Sequence, residues 1–184
     1  MRKQITKSIQ KGFTLIELLV VVVILGILAA VVVPQLSGVT DDAKLESLKS
    51  NLSNIRSAID LYKQQHTAYP GGVTAVPDAA CTATDGAGAS GSGAALASQL
   101  TMYTNAAGEA CSSKVGTAYP YGPYLKVTTP GSTAFPENPF KLANDVLIIT
   151  TGDLNMTLSG TEAWKYDSTV GKFIANDDAT HAAL

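Results

Sequence analysis

A single acidic side chain, Glu17, interrupts the apolar run FTLIELLVVVVILGILAAVVV at residues 13–33. A carboxylate in hydrocarbon costs roughly 3 kcal/mol, and less when it lies only one turn inside the run. It needs a positive partner, and the run holds no basic side chain. A cut before Phe13 would create an α-ammonium able to serve. The pair could form within one helix, where positions 13 and 17 are neighbours, or between neighbouring copies, which would make Glu17 a register-setting contact for assembly. Cys81 and Cys111 are the next reactive groups. Their spacing is neither a zinc pattern nor a C-x-x-C redox pair, which leaves a structural bridge or two buried thiols. Export to an oxidising compartment would favour the bridge, worth about 3–4 kcal/mol of unfolded-state entropy before strain. His66 and His181 have no triad or metal partner by spacing and read as solvated surface residues. No G-x-x-x-x-G-K-[ST] motif occurs, so the sequence has no nucleotide-binding signature.

The apolar run is long enough, at roughly 30 Å as a helix, to cross a bilayer core. Arg2, Lys3, Lys7 and Lys11 precede it without an acid among residues 1–12, and such a basic flank stays cytoplasmic, placing the C-terminal bulk outside. A secretory signal peptide cut near Ala29-Ala30 is the bland alternative, but its apolar core would be shorter and free of acid. The whole chain of 184 residues has 13 Lys and Arg against 15 Asp and Glu, a net charge of −2 that gives no reason to expect a nucleic-acid partner. Its 46% hydrophobic content is ordinary, while its 15% charged content is low, as in chains that meet lipid or copies of themselves.

Beyond Pro34 the helical pattern continues as an amphipathic stripe. Leu45, Leu48, Leu52, Ile55, Ile59 and Tyr62 recur every three or four residues, with Lys44, Glu46, Lys49, Arg56, Asp60 and Lys63 off the stripe. Tyr69-Pro70-Gly71-Gly72 ends the signal. Gly26 and Pro34 should weaken the apolar half, through backbone freedom and a missing hydrogen bond. Residues 79–98 hold 15 Ala, Gly or Ser among 20 and read as a flexible loop. The segments 119–125 and 135–140, with aromatics beside prolines, read as loops packed on a core. Asp145–Thr151 suits a central strand, and Glu162–Tyr166 with Lys172–Asn176 form a hairpin, Trp164 and Tyr166 on one face and Phe173 with Ala175 on one face. The expected fold class is α+β: a long N-terminal helix packed on a small C-terminal antiparallel β-sheet head.

Lys11-Gly12-Phe13-Thr14-Leu15-Ile16-Glu17-Leu18, then the apolar run and Pro34, resembles the prepilin signal of type IV pilins and type II secretion pseudopilins. The resemblance covers residues 1–65. It implies a leader peptide at 1–12, a transmembrane and filament-core helix at 13–34, an amphipathic helical half at 35–68 and a globular head at 69–184. It implies cleavage between Gly12 and Phe13 by a prepilin peptidase, N-methylation of Phe13, and pairing of Glu17 with the Phe13 amine of a neighbouring subunit. It also implies flexibility of the Gly26–Pro34 stretch in the filament. The implied partners are other copies in a helical filament, minor pilins or pseudopilins, an assembly ATPase, a platform membrane protein and, before assembly, inner-membrane lipid. The subunit would start in the bacterial inner membrane and end in a periplasmic pseudopilus or an extracellular pilus.

Gly122-Pro123-Tyr124-Leu125-Lys126, Pro136-Glu137-Asn138-Pro139 and the Trp164–Asn176 hairpin resemble pseudopilin heads and favour that branch over a surface pilin. Major pseudopilins hold calcium in a loop near the C-terminus, which would draw on Asp153, Asn155, Asp177 and Asp178. The spacing of those four is not that of a D-x-D-x-D-G loop. The resemblance implies no other cofactor and no enzymatic activity. A membrane-anchored receptor or enzyme is the alternative of another class, and an uncleaved chain would mark it.

Overall fold

A computed structural model describes residues 14–77, 80, 81, 83, 86–126 and 135–184, with the backbone alone for 31–39. The chain forms two compact units, Met1–Ala43 and Lys44–Leu184. Helix α1, Leu15–Gln65, supplies residues to both. In the first unit it is helical through Gly26 and Pro34, although proline has no N–H to offer the carbonyl of Ala30.

In the second unit the amphipathic stripe is the spine of the core. Leu48, Leu52, Ile55, Ile59 and Tyr62 are all buried, joined by Ala58, while Lys49 and Asp60 between them are exposed. Against them pack Trp164, Tyr166, Phe173 and Ala175 from the sheet, and Leu96, Ala97 and Leu100 from helix α2, Gly93–Thr101. Burying side chains of this size contributes about 1.5–3 kcal/mol each. Arg56, off the stripe, ties the helix to the sheet: its Nε and Nη2 donate to the Phe173 carbonyl at 3.0 and 2.9 Å, and its Nη1 donates to the Leu184 carbonyl at 3.0 Å.

Helix α2 corrects the reading of residues 79–98 as a flexible loop, since its first turns lie inside that segment. Ser92 caps it, its Oγ accepting from the Ala95 N–H at 3.1 Å. Ala95 to Thr101 are buried. Alanine has the highest helix propensity and lets a helix approach its neighbour closely, so a composition that suggests a linker here serves packing.

Two short strands, β1 (Tyr103–Thr104) and β2 (Ala110–Cys111), pair antiparallel with Tyr103 opposite Cys111. The main sheet has three strands in the order β3 (Val146–Ile149), β4 (Trp164–Asp167), β5 (Lys172–Ala175). The hairpin β4–β5 is antiparallel, with Trp164 opposite Ala175 and Tyr166 opposite Phe173, so the expected faces coincide. Strand β3 differs from expectation in two ways. It pairs parallel to β4, Val146 opposite Trp164, which makes the sheet mixed rather than antiparallel, and it lies at the end of the strand order rather than in its middle. The connection over residues 150–163 is long enough to return the chain for parallel pairing, which takes about a dozen residues. A short helix, α3 (Ala179–Ala182), follows β5, with Asp178 as its N-cap. The fold is α+β.

Candidate assembly segment

The start of α1 is a capping box. Thr14 stands just before the first helical residue, and its Oγ1 accepts from the Glu17 N–H at 3.3 Å. The Glu17 carboxylate reaches back, with Oε2 accepting from the Thr14 N–H at 2.9 Å and from the Thr14 hydroxyl at 2.7 Å. Thr-x-x-Glu is the sequence pattern of this device, in which two orphan helix donors are satisfied reciprocally. Glu17 thus has a partner within its own first turn besides any positive charge, and the Thr14-x-x-Glu17 spacing carries that signal in the sequence. Gly12 and Phe13 lie outside the described residues.

From Leu15 to Leu28 the large apolar side chains are exposed, Leu15 at 88% and Ile27 at 62%. A contiguous apolar surface of that extent marks an interaction site with lipid or protein. Beyond its own helix backbone, a Cβ at Gly26 would meet no heavy atom within 4 Å among the described residues. Among the described residues alone, no helix is long and apolar enough to cross a membrane. The apolar run at 13–33 extends past the described side chains at both ends.

The head holds the remaining residues singled out by the sequence. Cys81 and Cys111 form a disulfide, closing 30 residues with Cys111 fully buried on β2. His66 is buried, which corrects its reading as a solvated surface residue. Its ring stacks on Tyr62 with centroids 3.9 Å apart and meets Tyr121 and Tyr124 edge-on. The Tyr62 carbonyl lies 3.0 Å from Nδ1 and the Asn105 carbonyl 2.9 Å from Nε2, whereas a neutral ring has one N–H to give. Burial lowers its pKa from 6.5, against the opposite pull of those carbonyls. His181 is also drawn in, its Nδ1 2.5 Å from the Asp177 carboxylate and its ring on Phe140.

Asp153, Asp177 and Asp178 are each taken up in local hydrogen bonds, one of them from the backbone N–H of Asn155. Asp153 accepts from the Asn155 N–H at 2.8 Å, Asp177 from Asn138 Nδ2 at 2.9 Å, and Asp178 from the Thr180 N–H at 2.7 Å. Among the described residues no three His, Cys, Asp or Glu side chains converge to hold a metal ion. This donor set does not fit the calcium site that the resemblance implies. The carboxylate that does organise the loop is Asp167, fully buried at the end of β4. It accepts from the N–H groups of Thr169 and Asp153, at 2.8 and 3.0 Å, and from the Thr151 hydroxyl at 3.2 Å. Burial pushes its carboxyl up, but these bonds and one from Gly152 together hold it below the ordinary value. Nothing in sequence spacing singles out this aspartate from other turn residues.

Residues 7–33 match the prokaryotic N-terminal methylation motif. The chain is 56% identical over 61 residues to the type II secretion system core protein G of Pseudomonas aeruginosa, covering 33% of this chain and 43% of that one. It is 48% identical over 61 residues to the protein of the same name from Klebsiella michiganensis, with the same coverage. Against that of Vibrio cholerae it is 46% identical over 61 residues, covering 33% of this chain and 42% of the relative. The chain thus matches less than half the length of these relatives. No solved structure matches. The chain combines a methylation-type N-terminal motif with an α+β fold, and over 61 residues its similarity runs to the core protein G of type II secretion.

Proposed function

We propose that this protein is a structural subunit of a type IV-like filament, and specifically a major pseudopilin of a type II secretion system that drives protein export. The observation that carries the reading is the methylation motif at residues 7–33, continuing into a helix whose apolar side chains stand exposed from Leu15 to Leu28. Such a surface needs a cover. Inner-membrane lipid supplies it in the stored subunit and neighbouring helices supply it in the filament. A prepilin peptidase would cut between Gly12 and Phe13 and methylate Phe13. The Phe13 amine of one subunit would then neutralise Glu17 of the next in water-poor surroundings, where an unpaired charge is costly. Before that exchange, the capping box keeps the Glu17 carboxylate hydrogen-bonded within its own helix. Gly26 and Pro34 would let the helix loosen as it leaves the bilayer. An assembly ATPase and a platform membrane protein would provide the energy and the base, and minor pseudopilins the tip. The relatives' shared name supports the secretion branch.

Deletion of the gene in its native host, at native expression, tests this. Mass spectrometry of secreted proteins and of sheared surface filaments is compared with the parent. Exoproteins trapped in the periplasm, with no filament lost, are the expected result. A sheared fraction dominated by this chain beginning at methylated Phe13 would make it a surface pilin. A chain recovered uncleaved would make it an anchored receptor or enzyme.

A further inference from the structure

The connection between β3 and β4, residues 150–163, has almost no apolar anchor. From 153 to 161 only Met156 is buried. Its carbonyl oxygens are instead met by ammonium groups from three different parts of the head. Lys165, itself 6% exposed on β4, donates to the Thr157 carbonyl and to Ser159 Oγ, both at 2.8 Å. Lys141 donates to the carbonyls of Thr161 and Glu162, at 2.9 and 2.8 Å. Lys172 of β5 donates to the Leu154 carbonyl. Asn176 adds two amide bonds, to the carbonyls of Ser159 at 2.8 Å and Glu162 at 3.0 Å, and accepts from the Ser159 N–H at 3.1 Å.

Carbonyl oxygens turned toward positive charge in an exposed loop are the usual surroundings of a bound hard cation, which gathers six to eight oxygens. Here the oxygens already have partners, since an ammonium offers three donors and carries its own charge. Three such charges beside one loop also repel a divalent ion. The nearby carboxylates each hold hydrogen bonds of their own, Asp167 from Thr151, Asp153 and Thr169, Asp177 from Asn138 and beside His181, Asp153 from the Asn155 N–H and Glu162 from the Thr161 N–H. We infer that Lys165, with Lys141 and Lys172, is the resident cation of this connection, so that the head is ordered without calcium. Covalently attached charge thereby takes the place that a bound cation would fill in this connection. This rests on the head's own contacts and stands whichever filament the protein builds.

The test uses the full chain in detergent micelles and reads Trp164, the one tryptophan, by fluorescence during heating. Melting is compared in a calcium chelator and in about 10 mM calcium, above the weakest extracellular calcium sites at roughly 1 mM. The expected midpoints agree within about 1 °C, while a calcium-dependent rise of about 3 °C or more overturns the inference. Lys165→Met is expected to accelerate proteolytic cleavage within residues 150–163 by about tenfold or more, with no rescue by calcium. Should that variant fail to fold, Lys172→Met carries the same comparison at a half-buried site. Cleavage at the parental rate, or rescue by calcium, overturns the assignment of the ammonium groups.

Discussion

The Glu17 carboxylate accepts two hydrogen bonds from Thr14, at 2.9 Å from the backbone nitrogen and 2.7 Å from the hydroxyl, and so closes the first turn of α1 on itself. The residue proposed to join one subunit to the next is already engaged within its own chain. These two roles separate experimentally, because one needs a hydrogen-bond acceptor and the other a charge.

Glutamine serves at the third helical position of a capping box as glutamate does. Glu17→Gln is therefore expected to leave amide exchange in the first turn of α1 unchanged while blocking incorporation into filaments. Thr14→Ala should do the reverse. It removes the cap hydroxyl, costing about 1 kcal/mol locally and speeding first-turn exchange roughly fivefold, with the charge intact. Hydrogen exchange on the micellar protein and recovery of subunits in overexpressed filaments are the two readouts. Exchange accelerated equally by both substitutions would contradict the separation.

Reduction of the Cys81–Cys111 bridge should loosen the head without abolishing its core. Closing 30 residues is worth about 3–4 kcal/mol. For a chain of this size that corresponds to a fall in Tm of roughly 10 °C on adding reductant. A Cys81→Ser, Cys111→Ser double variant should melt at the lower temperature and ignore reductant. Identical melting of the parent with and without reductant would count against the bridge as a stabiliser.

Gly171 closes the β4–β5 hairpin at φ 74°, and a Cβ there would run into the Tyr69 ring. Gly171→Ala is expected to lower stability by about 1–3 kcal/mol, combining left-handed backbone strain with that overlap. Tyr69→Ala in the same background should recover only the overlap. A denaturation double-mutant cycle measures the difference, and additive effects would show that the ring yields freely.

Acid should weaken the head in two windows. Burial holds the His66 pKa below 6.5, so its unfolded ring takes a proton first. Its contribution is complete above that value and falls as pH drops through it toward the folded value. For Asp167 the carboxyl is raised by burial but held net below 3.8 by the donors around it. Its contribution is complete above the ordinary carboxylate range and is lost as pH falls through the lowered folded value. Chemical denaturation from neutral pH down to about pH 3 should show both slopes. His66→Gln should flatten the first and Asp167→Asn the second. A slope that survives its own substitution would belong to another group.

Local pattern carried much of this protein. The apolar run and its lone Glu17 are composition and position, and the stripe from Leu48 to Tyr62 is a 3.6-residue period that only one helix face can satisfy. The β4–β5 hairpin was likewise readable, because alternation puts Trp164 and Tyr166 on one side whatever they pack against. Even the Thr14–Glu17 box stood in the sequence as a four-residue motif.

What the tertiary structure decided are the pairings between segments far apart in the chain. Whether β3 lies beside β4 or elsewhere, and in which direction, depends on how residues 150–163 return, and no local periodicity encodes that path. Helix α2 is buried because Leu96, Ala97 and Leu100 join the core cluster of the α1 stripe while Ala95 packs with Ala75, Met102 and Ala110, contacts invisible in a composition that reads as a linker. His66 is buried because Tyr121, Tyr124 and Asn105, remote in sequence, close over it. The partners of Asp167 and Lys165 are mostly backbone N–H and carbonyl groups, which every residue carries and no residue type announces. Side-chain character is written in the sequence one residue at a time. Which backbone groups need it is settled only when the chain has closed on itself.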